Sequence, residues 1–374
     1  MYGRKKKKFP IPLLICVFVI LSCAVFLSQG AEAETQLYAP RRIIPFFTLK
    51  RNELPMIVED PQLNLTIKAV DEGETFFYSS EGYYRYGPSI IRNEDGSMDA
   101  WFAAPGNNST QWDWITYRHS DDGENWSTEK TVLKPTAGSK DSCSVCDPGV
   151  IFFNDYYYLG YTSTDYYEGK GTNNSAFVAR SKNPDGPYEK WNGESWGGDP
   201  EPIIEYEGNP KGWGIGELSF VILENELYIY YTYFSDTGGY TSLAKADLSE
   251  NWPSSIEEKG MVMGRTTQDS LDVVYADDYK VFMAFSIENR MSQGSEVAVY
   301  ISDNGYHFEK ADSTKRYIED YAHNMGIAKS KEGHLSCDGE LLIGYAYGRK
   351  WGRWNAKFQK VEITNTVKYR VIEN

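Results

Sequence analysis

The sequence predicts an all-β fold, a five-bladed β-propeller with about four antiparallel strands per blade. Three observations carry this. A unit of about sixty residues recurs five times. Each copy holds short runs rich in β-branched and aromatic residues, separated by turn residues. No long amphipathic helical pattern interrupts them. One such unit is a small sheet that cannot bury both faces alone, whereas five arranged radially bury one another.

The amino end stands apart from the repeat. Lys5 to Lys8 form a basic cluster, Phe9 to Leu27 carry no charge over 19 residues, and Ala31-Glu32-Ala33 is a small-x-small site. This order, over residues 1–33, reads as a signal peptide or an uncleaved membrane anchor. Either one puts the bulk of the chain, 34–374 as a single propeller domain, outside the cell. Ile20-Leu21-Ser22-Cys23 loosely matches a lipoprotein box, and the apolar run after it argues against that use. Within residues 34–80, Ile43-Ile44-Pro45-Phe46-Phe47 is a candidate strand to close the last blade.

The first clear unit begins at Gly87-Pro88-Ser89-Ile90-Ile91, and Asp147-Pro148-Gly149-Val150-Ile151 follows at an offset of 60. Each leads through a turn into an aromatic strand, Asp99 to Ala103 and Tyr156 to Tyr161. Glu217 to Val221, Leu271 to Val274 and Met325 to Ala328 open the third, fourth and fifth copies. The second half of each unit repeats as well. Ser120, Ser181 and Ser302 end corresponding strands and lie 61 and 121 residues apart, one and two units. Asp-Gly and Asn-Gly follow, at 122–123, 185–186 and 304–305, and these pairs tolerate the positive φ of tight turns.

Charge excludes some functions. The chain has 38 basic and 53 acidic residues, for a net charge of -15. Five of those basic residues lie before position 34, so the exported part is more acidic still. Nucleic-acid binding requires a basic footprint, and the folded part has the opposite. The expected partner is a carbohydrate, with a membrane touched only through an uncleaved amino-terminal segment. Beyond the targeting segment there are three cysteines, Cys143, Cys146 and Cys337. The Cys143-x-x-Cys146 spacing lacks the second pair a zinc site needs, so a local disulfide or two partly buried thiols is expected.

In a propeller the first strand of each blade lines the central channel, and its opening residues gather at one mouth. Those positions here are Arg85, Asp147, Glu217, Asp272 and His323. Asp147 and Glu217 align through an offset of 70, while Asp272 and His323 align more loosely because the turns differ in length. Three buried carboxylates are costly in a purely structural core. They suit glycoside hydrolysis, in which one carboxylic acid protonates the leaving oxygen and one carboxylate acts as base or nucleophile. A third acid raises the pKa of the first. Trp112, Trp114 and Trp213 offer aromatic faces for sugar rings. No metal is required by this chemistry, although calcium would suit an oxygen-rich mouth.

The chain resembles the five-bladed β-propeller glycosidases, glycoside hydrolase family 43 and its relatives. The resemblance spans residues 80–370. It rests on Tyr86-Gly87-Pro88-Ser89-Ile90-Ile91, Cys146 to Ile151, Gly216-Glu217 and the turn from Ser181 to Tyr188. It implies a hydrolase of O-glycosyl bonds, arabinofuranosidase- or xylosidase-like. Glu217 would be the general acid, Asp147 the base or nucleophile and Asp272 the pKa tuner. Arg85, His323, Trp213, Trp112 and Trp114 would bind the sugar. The family places an Asp-Pro in the first blade where this chain has Gly87-Pro88, which makes a non-catalytic carbohydrate-binding propeller the alternative. Ser120 to Trp126 and Ser302 to Phe308 resemble the Asp-box of sialidases, a turn motif that marks fold and not activity.

Overall fold

The computed structural model describes residues 57–372, except 59–62, 64, 109, 170, 236–237, 265–270, 312–317 and 366–370. The targeting segment 1–33 and the candidate strand at 43–47 lie outside the described residues. Ile57–Ile372 form one compact unit. Helix among the described residues is confined to single turns, at Ser79–Gly82, Tyr167–Gly169 and Trp252–Ser255. None of them is long and apolar enough to cross a membrane.

Each sequence unit becomes an antiparallel meander. The first runs Tyr86–Arg92, Met98–Asn108, Gln111–Ser120 and Lys130–Leu133. The second runs Ser144–Phe153, Tyr156–Thr164, Ser175–Ser181 and Glu189–Lys190. The third comprises Gly214–Leu223, Glu226–Ser235, Gly238–Ala246 and Glu257–Met263. The fourth is Asp272–Ala276, Val281–Glu288, Glu296–Ser302 and Glu309–Lys310. The fifth has Ala322–Lys329, Glu340–Lys350 and Arg353–Asn365. Its outer edge is covered by Leu65–Ala69, which pairs antiparallel with Arg353–Asn365. A strand from before the first unit therefore completes the last one. Its alternation explains why: Leu65 and Ile67 are buried in the cluster that holds Val361 and Ile363, and Lys68 is exposed.

The first strands of successive meanders touch in order, and the fifth, Ala322–Lys329, pairs parallel with the first, Tyr86–Arg92. Apolar clusters fill the spaces between neighbouring meanders. Ile91, Trp101 and Ile115 of the first pack with Val150, Leu159 and Phe177 of the second. Tyr158 and Val178 of the second pack with Phe220 and Ile229 of the third. Val221 and Tyr230 of the third meet Phe282 and Ala298 of the fourth. Met283 and Phe285 of the fourth meet Ile327 and Ile343 of the fifth. Phe358 and Leu342 return to Phe102 and Ile90 of the first. Burying each such side chain stabilises by roughly 1.5–3 kcal/mol, so the meanders hold one another rather than standing alone.

The turns follow their chemistry. Asn154-Asp155 and Glu224-Asn225 both have positive φ at both positions, as a two-residue hairpin requires. The sialidase-like boxes share one hydrogen-bond pattern. Ser120 Oγ accepts the Gly123 N–H and Asp122 accepts the Glu124 N–H. Ser302 Oγ likewise accepts the Gly305 N–H, and Asn304 accepts the Tyr306 N–H. The box aromatics then dock on neighbouring meanders, Trp126 stacked on Phe358 and Phe308 edge-on to Tyr230.

Candidate active site

A β-bulge opens the first strand of four meanders, and all four have one form. Two residues, 87–88, 147–148, 217–218 or 324–325, face a single residue of the neighbouring strand. The first residue of each pair is left-handed: Gly87 at φ 58°, Asp147 at 47°, Glu217 at 54° and Asn324 at 44°. Bulges re-aim side chains at sheet edges and rims. Here they aim equivalent residues of different units at one place. Left-handed Asp and Glu are strained, and such strain persists only where the surroundings over-determine it. At Glu217 the backbone N–H is held by Thr162 Oγ1 at 2.8 Å. That hydroxyl can approach because the preceding residue is Gly216, where a Cβ would lie 2.1 Å from it.

The bulges of the second, third and fifth meanders line a cavity of about 460 Å³. Asn324 spans its two acids. The Asn324 Nδ2 donates to Glu217 Oε1 at 3.2 Å and toward Asp147 Oδ1 at 3.4 Å, a longer contact. One amide nitrogen thus reaches both carboxylates. The Asn324 carbonyl faces His323 Nδ1 at 2.8 Å. His323 is 1% exposed, and burial together with the Arg290 guanidinium pushes its pKa down to about 3. A third carboxylate, Asp113, lines the same cavity and accepts hydrogen bonds from Tyr84 Oη at 2.7 Å and Ser144 Oγ at 2.9 Å. Burial raises its pKa, against the opposing effect of those bonds. Burial, then the charges of Asp147 and Asp113, hold the Cys146 thiol protonated.

The cavity wall is aromatic. Trp112 stacks on Tyr167 at 5.7 Å and 23°, both lining the cavity. Trp213 lines it too, its carbonyl accepting two hydrogen bonds from Asn174. Trp351, 73% exposed, stands at the mouth edge-on to Trp354, which packs against His323 at 4.3 Å. A wider cleft of about 590 Å³ lies on the flank around Trp126 and Phe358, and no sequence-predicted site residue lines it.

Of the residues singled out from sequence, Asp147, Glu217, His323, Trp112 and Trp213 meet in this cavity. Three stand elsewhere. Asp272 lies two residues deeper, in the layer of Ser89 and Ser219. In that layer Ser89 Oγ accepts the Val150 N–H, Ser219 Oγ accepts the Val273 N–H, and Asp272 Oδ2 accepts the Ile327 N–H. Asp272 thus staples the fourth meander to the fifth, and Lys329 Nζ donates to its Oδ1 at 2.5 Å. It lines a small cavity of about 20 Å³ that Asp147 and Glu217 also line, and it does not line the larger one. The position equivalent to Asp147 in the fourth meander, 270, is outside the described residues. Arg85 is turned to Glu129 in a two-pronged pair at 2.6 Å, over the Phe77 ring. Trp114 is buried, bonded to Gln111, with Lys134 over its ring.

His323 occupies the position of Cys146 and Gly216, and the residue at the level of the two acids is Asn324, one further on. The sequence reading missed it, and it missed Asp113 and Arg290. Asn324 could have been found from the extra residue that every bulge inserts. Asp113 is on the third strand of its meander, where the opening-strand repeat has no signal. The three cysteines are free and buried. Among the described residues no group of three or more His, Cys, Asp or Glu side chains could hold a metal. The two central acids face an amide donor, with Arg290 lining the same cavity.

No protein-family model matches the chain, and no curated protein does. Solved structures do. A family 117 glycoside hydrolase produced by the marine bacterium Zobellia galactanivorans superposes with a TM-score of 0.59 at 16% identity, covering 81% of this chain and 92% of that one. An α-L-arabinofuranosidase from Podospora anserina, in complex with cellotriose, gives 0.53 at 10% identity over 81% and 97%. An endo-arabinase from Bacteroides thetaiotaomicron gives 0.50 at 14% over 76% and 96%. At such identities what is shared is the fold, here nearly all-β with antiparallel sheets; function is argued from the site.

Proposed function

We propose that the chain is an exported glycoside hydrolase that cleaves O-glycosyl bonds of an oligo- or polysaccharide, arabinofuranosidase- or xylosidase-like. The fold is read as five blades, because the five first strands touch in cyclic order and apolar clusters fill every gap between meanders. The layout resembles that of the propeller glycosidases, among them family 43, and the solved structures of like fold are themselves glycoside hydrolases.

The observation that carries the reading is the pair Asp147 and Glu217. They sit on equivalent left-handed bulges, share one amide donor, and face a cavity with tryptophan walls. Glu217 protonates the leaving oxygen, and Asp147 acts as base or nucleophile. With Asp272 held by Lys329, the third carboxylate of the cavity is Asp113. Its negative charge, while ionised, would favour the protonated form of a nearby acid.

One observation favours a carbohydrate-binding propeller without turnover: the first-unit position is Gly87, where a Cβ would lie 3.2 Å from Asp147 Oδ1. Residues 34–374 screened against chromogenic glycosides and polysaccharides separate the two readings. Reducing ends released by wild type support the hydrolase. A glycan-dependent rise in melting temperature with no product supports the binder.

A further inference from the structure

We propose that Asn324 is a positioning residue that fixes one proton arrangement across the site. It donates to both carboxylates, and it locks His323 as the Nδ1–H tautomer, with Nε2 a neutral acceptor. The inference rests on the glycosidase reading only for its kinetic consequence. The proton arrangement itself follows from donor and acceptor chemistry.

Asp147, as base or nucleophile, is an ionised carboxylate, which accepts hydrogen bonds and cannot donate. The side of the Asn324 amide that faces Asp147 and Glu217 must therefore be its NH₂ group. Its oxygen then faces His323 Nδ1 at 2.8 Å, and an oxygen needs a proton from its partner. The proton is on Nδ1, and Nε2 holds a lone pair. His323 Nε2 is buried in the cavity wall with no hydrogen-bond partner, and Trp354 Nε1, in the ring packed on His323, is likewise without one. A second proton on Nε2 would put an uncompensated cation there, facing Arg290. An amide is the one side chain of this shape that can serve both neighbours without titrating.

The ionisable groups around Asn324 are Asp147 and Glu217 on the neighbouring bulges, His323 beside it, and Arg290 and Asp113 across the cavity. Tyr84, Tyr86, Tyr167 and Cys146 also line it. Asn324→Asp would set a third carboxylate between the two acids. The macroscopic pKa values of the cluster should rise by about one unit or more.

The test has two arms. In ¹⁵N NMR of the wild-type protein, His323 should show a protonated Nδ1 and an unprotonated Nε2 from pH 5 to 8. An Nε2–H tautomer or a charged ring overturns the proposal, and this arm requires neither turnover nor a folded variant. In the second arm, Asn324→Asp should lower kcat by about 10²-fold and move the acid limb of the kcat/KM profile up by about one unit, with KM little changed. Asn324→Ala should lower kcat with an unmoved limb. An unshifted limb in folded Asn324→Asp overturns the proposal. Absence of turnover in the wild type would sink the glycosidase reading instead, leaving the tautomer to decide the inference.

Discussion

Two sets of buried carboxylates occupy the same channel two residues apart, and they do different work. Asp272 is surrounded by protein donors: the Lys329 ammonium, the Ser219 hydroxyl and the Ile327 N–H. Asp147 and Glu217 share an amide donor and line a cavity of about 460 Å³. A carboxylate compensated by a buried lysine and a neighbouring backbone joins two meanders. A carboxylate on a left-handed bulge, facing a cavity, is available to a ligand. Residue type and burial do not separate the two sets; the layer of the strand does.

Substitutions can break or sharpen this contrast. The largest effect is expected at the upper layer. Asp147→Asn should lower kcat by about 10²- to 10⁴-fold with the melting temperature unchanged. A loss of stability without loss of turnover would move Asp147 to the structural set. At the lower layer Lys329→Met leaves Asp272 buried and unpaired, and urea unfolding should show a loss of about 3–5 kcal/mol. The folded fraction should keep its kcat; a loss of kcat alone would mean that Asp272 belongs to the chemistry.

The pH dependence of stability follows from His323. Its folded pKa, about 3, lies below the ordinary 6.5. Below pH 6.5 the unfolded chain takes up a proton that the folded chain does not. Stability therefore falls as pH drops from about 6.5 toward 3, by at most about 1.4 kcal/mol per pH unit from this group. Denaturation of His323→Gln at pH 7 and pH 5 should show a shallower loss, and equal slopes in the two proteins would refute the assignment.

Two smaller effects probe the rim. Gly87→Ala forces a left-handed alanine whose Cβ meets Asp147 Oδ1 at 3.2 Å. It should cost about 1–2 kcal/mol in thermal unfolding, and kcat should fall with it. Trp351→Ala removes an exposed ring at the mouth. KM for an oligosaccharide should rise by about 3- to 10-fold, with kcat and stability unaltered. An unchanged KM would remove Trp351 from the binding surface.

Much of the fold was legible because turn chemistry and strand composition repeat with the unit. Ser120 and Ser302 lie three units apart and make the same turn. Asp147 and Glu217 were legible because the strands after them superpose under one offset. Asp272 was misplaced because the turn before it differs in length, and a shift of two residues moves a side chain one layer along the same face. The bulge at 324–325 hid Asn324 behind His323. Asp113 needed the third strand of its meander, which reaches the cavity only in three dimensions. Arg85 read as a channel residue, but Glu129, 44 positions on, holds it.

The central claim is that Glu217 is a proton donor held by the fold and not part of what holds the fold. The most direct test compares kcat of wild type and Glu217→Gln on the best glycoside found, with thermal unfolding of both. The account predicts product from the wild type, at least about 10²-fold less from the variant, and matching melting temperatures. Undiminished turnover by a folded Glu217→Gln would contradict it.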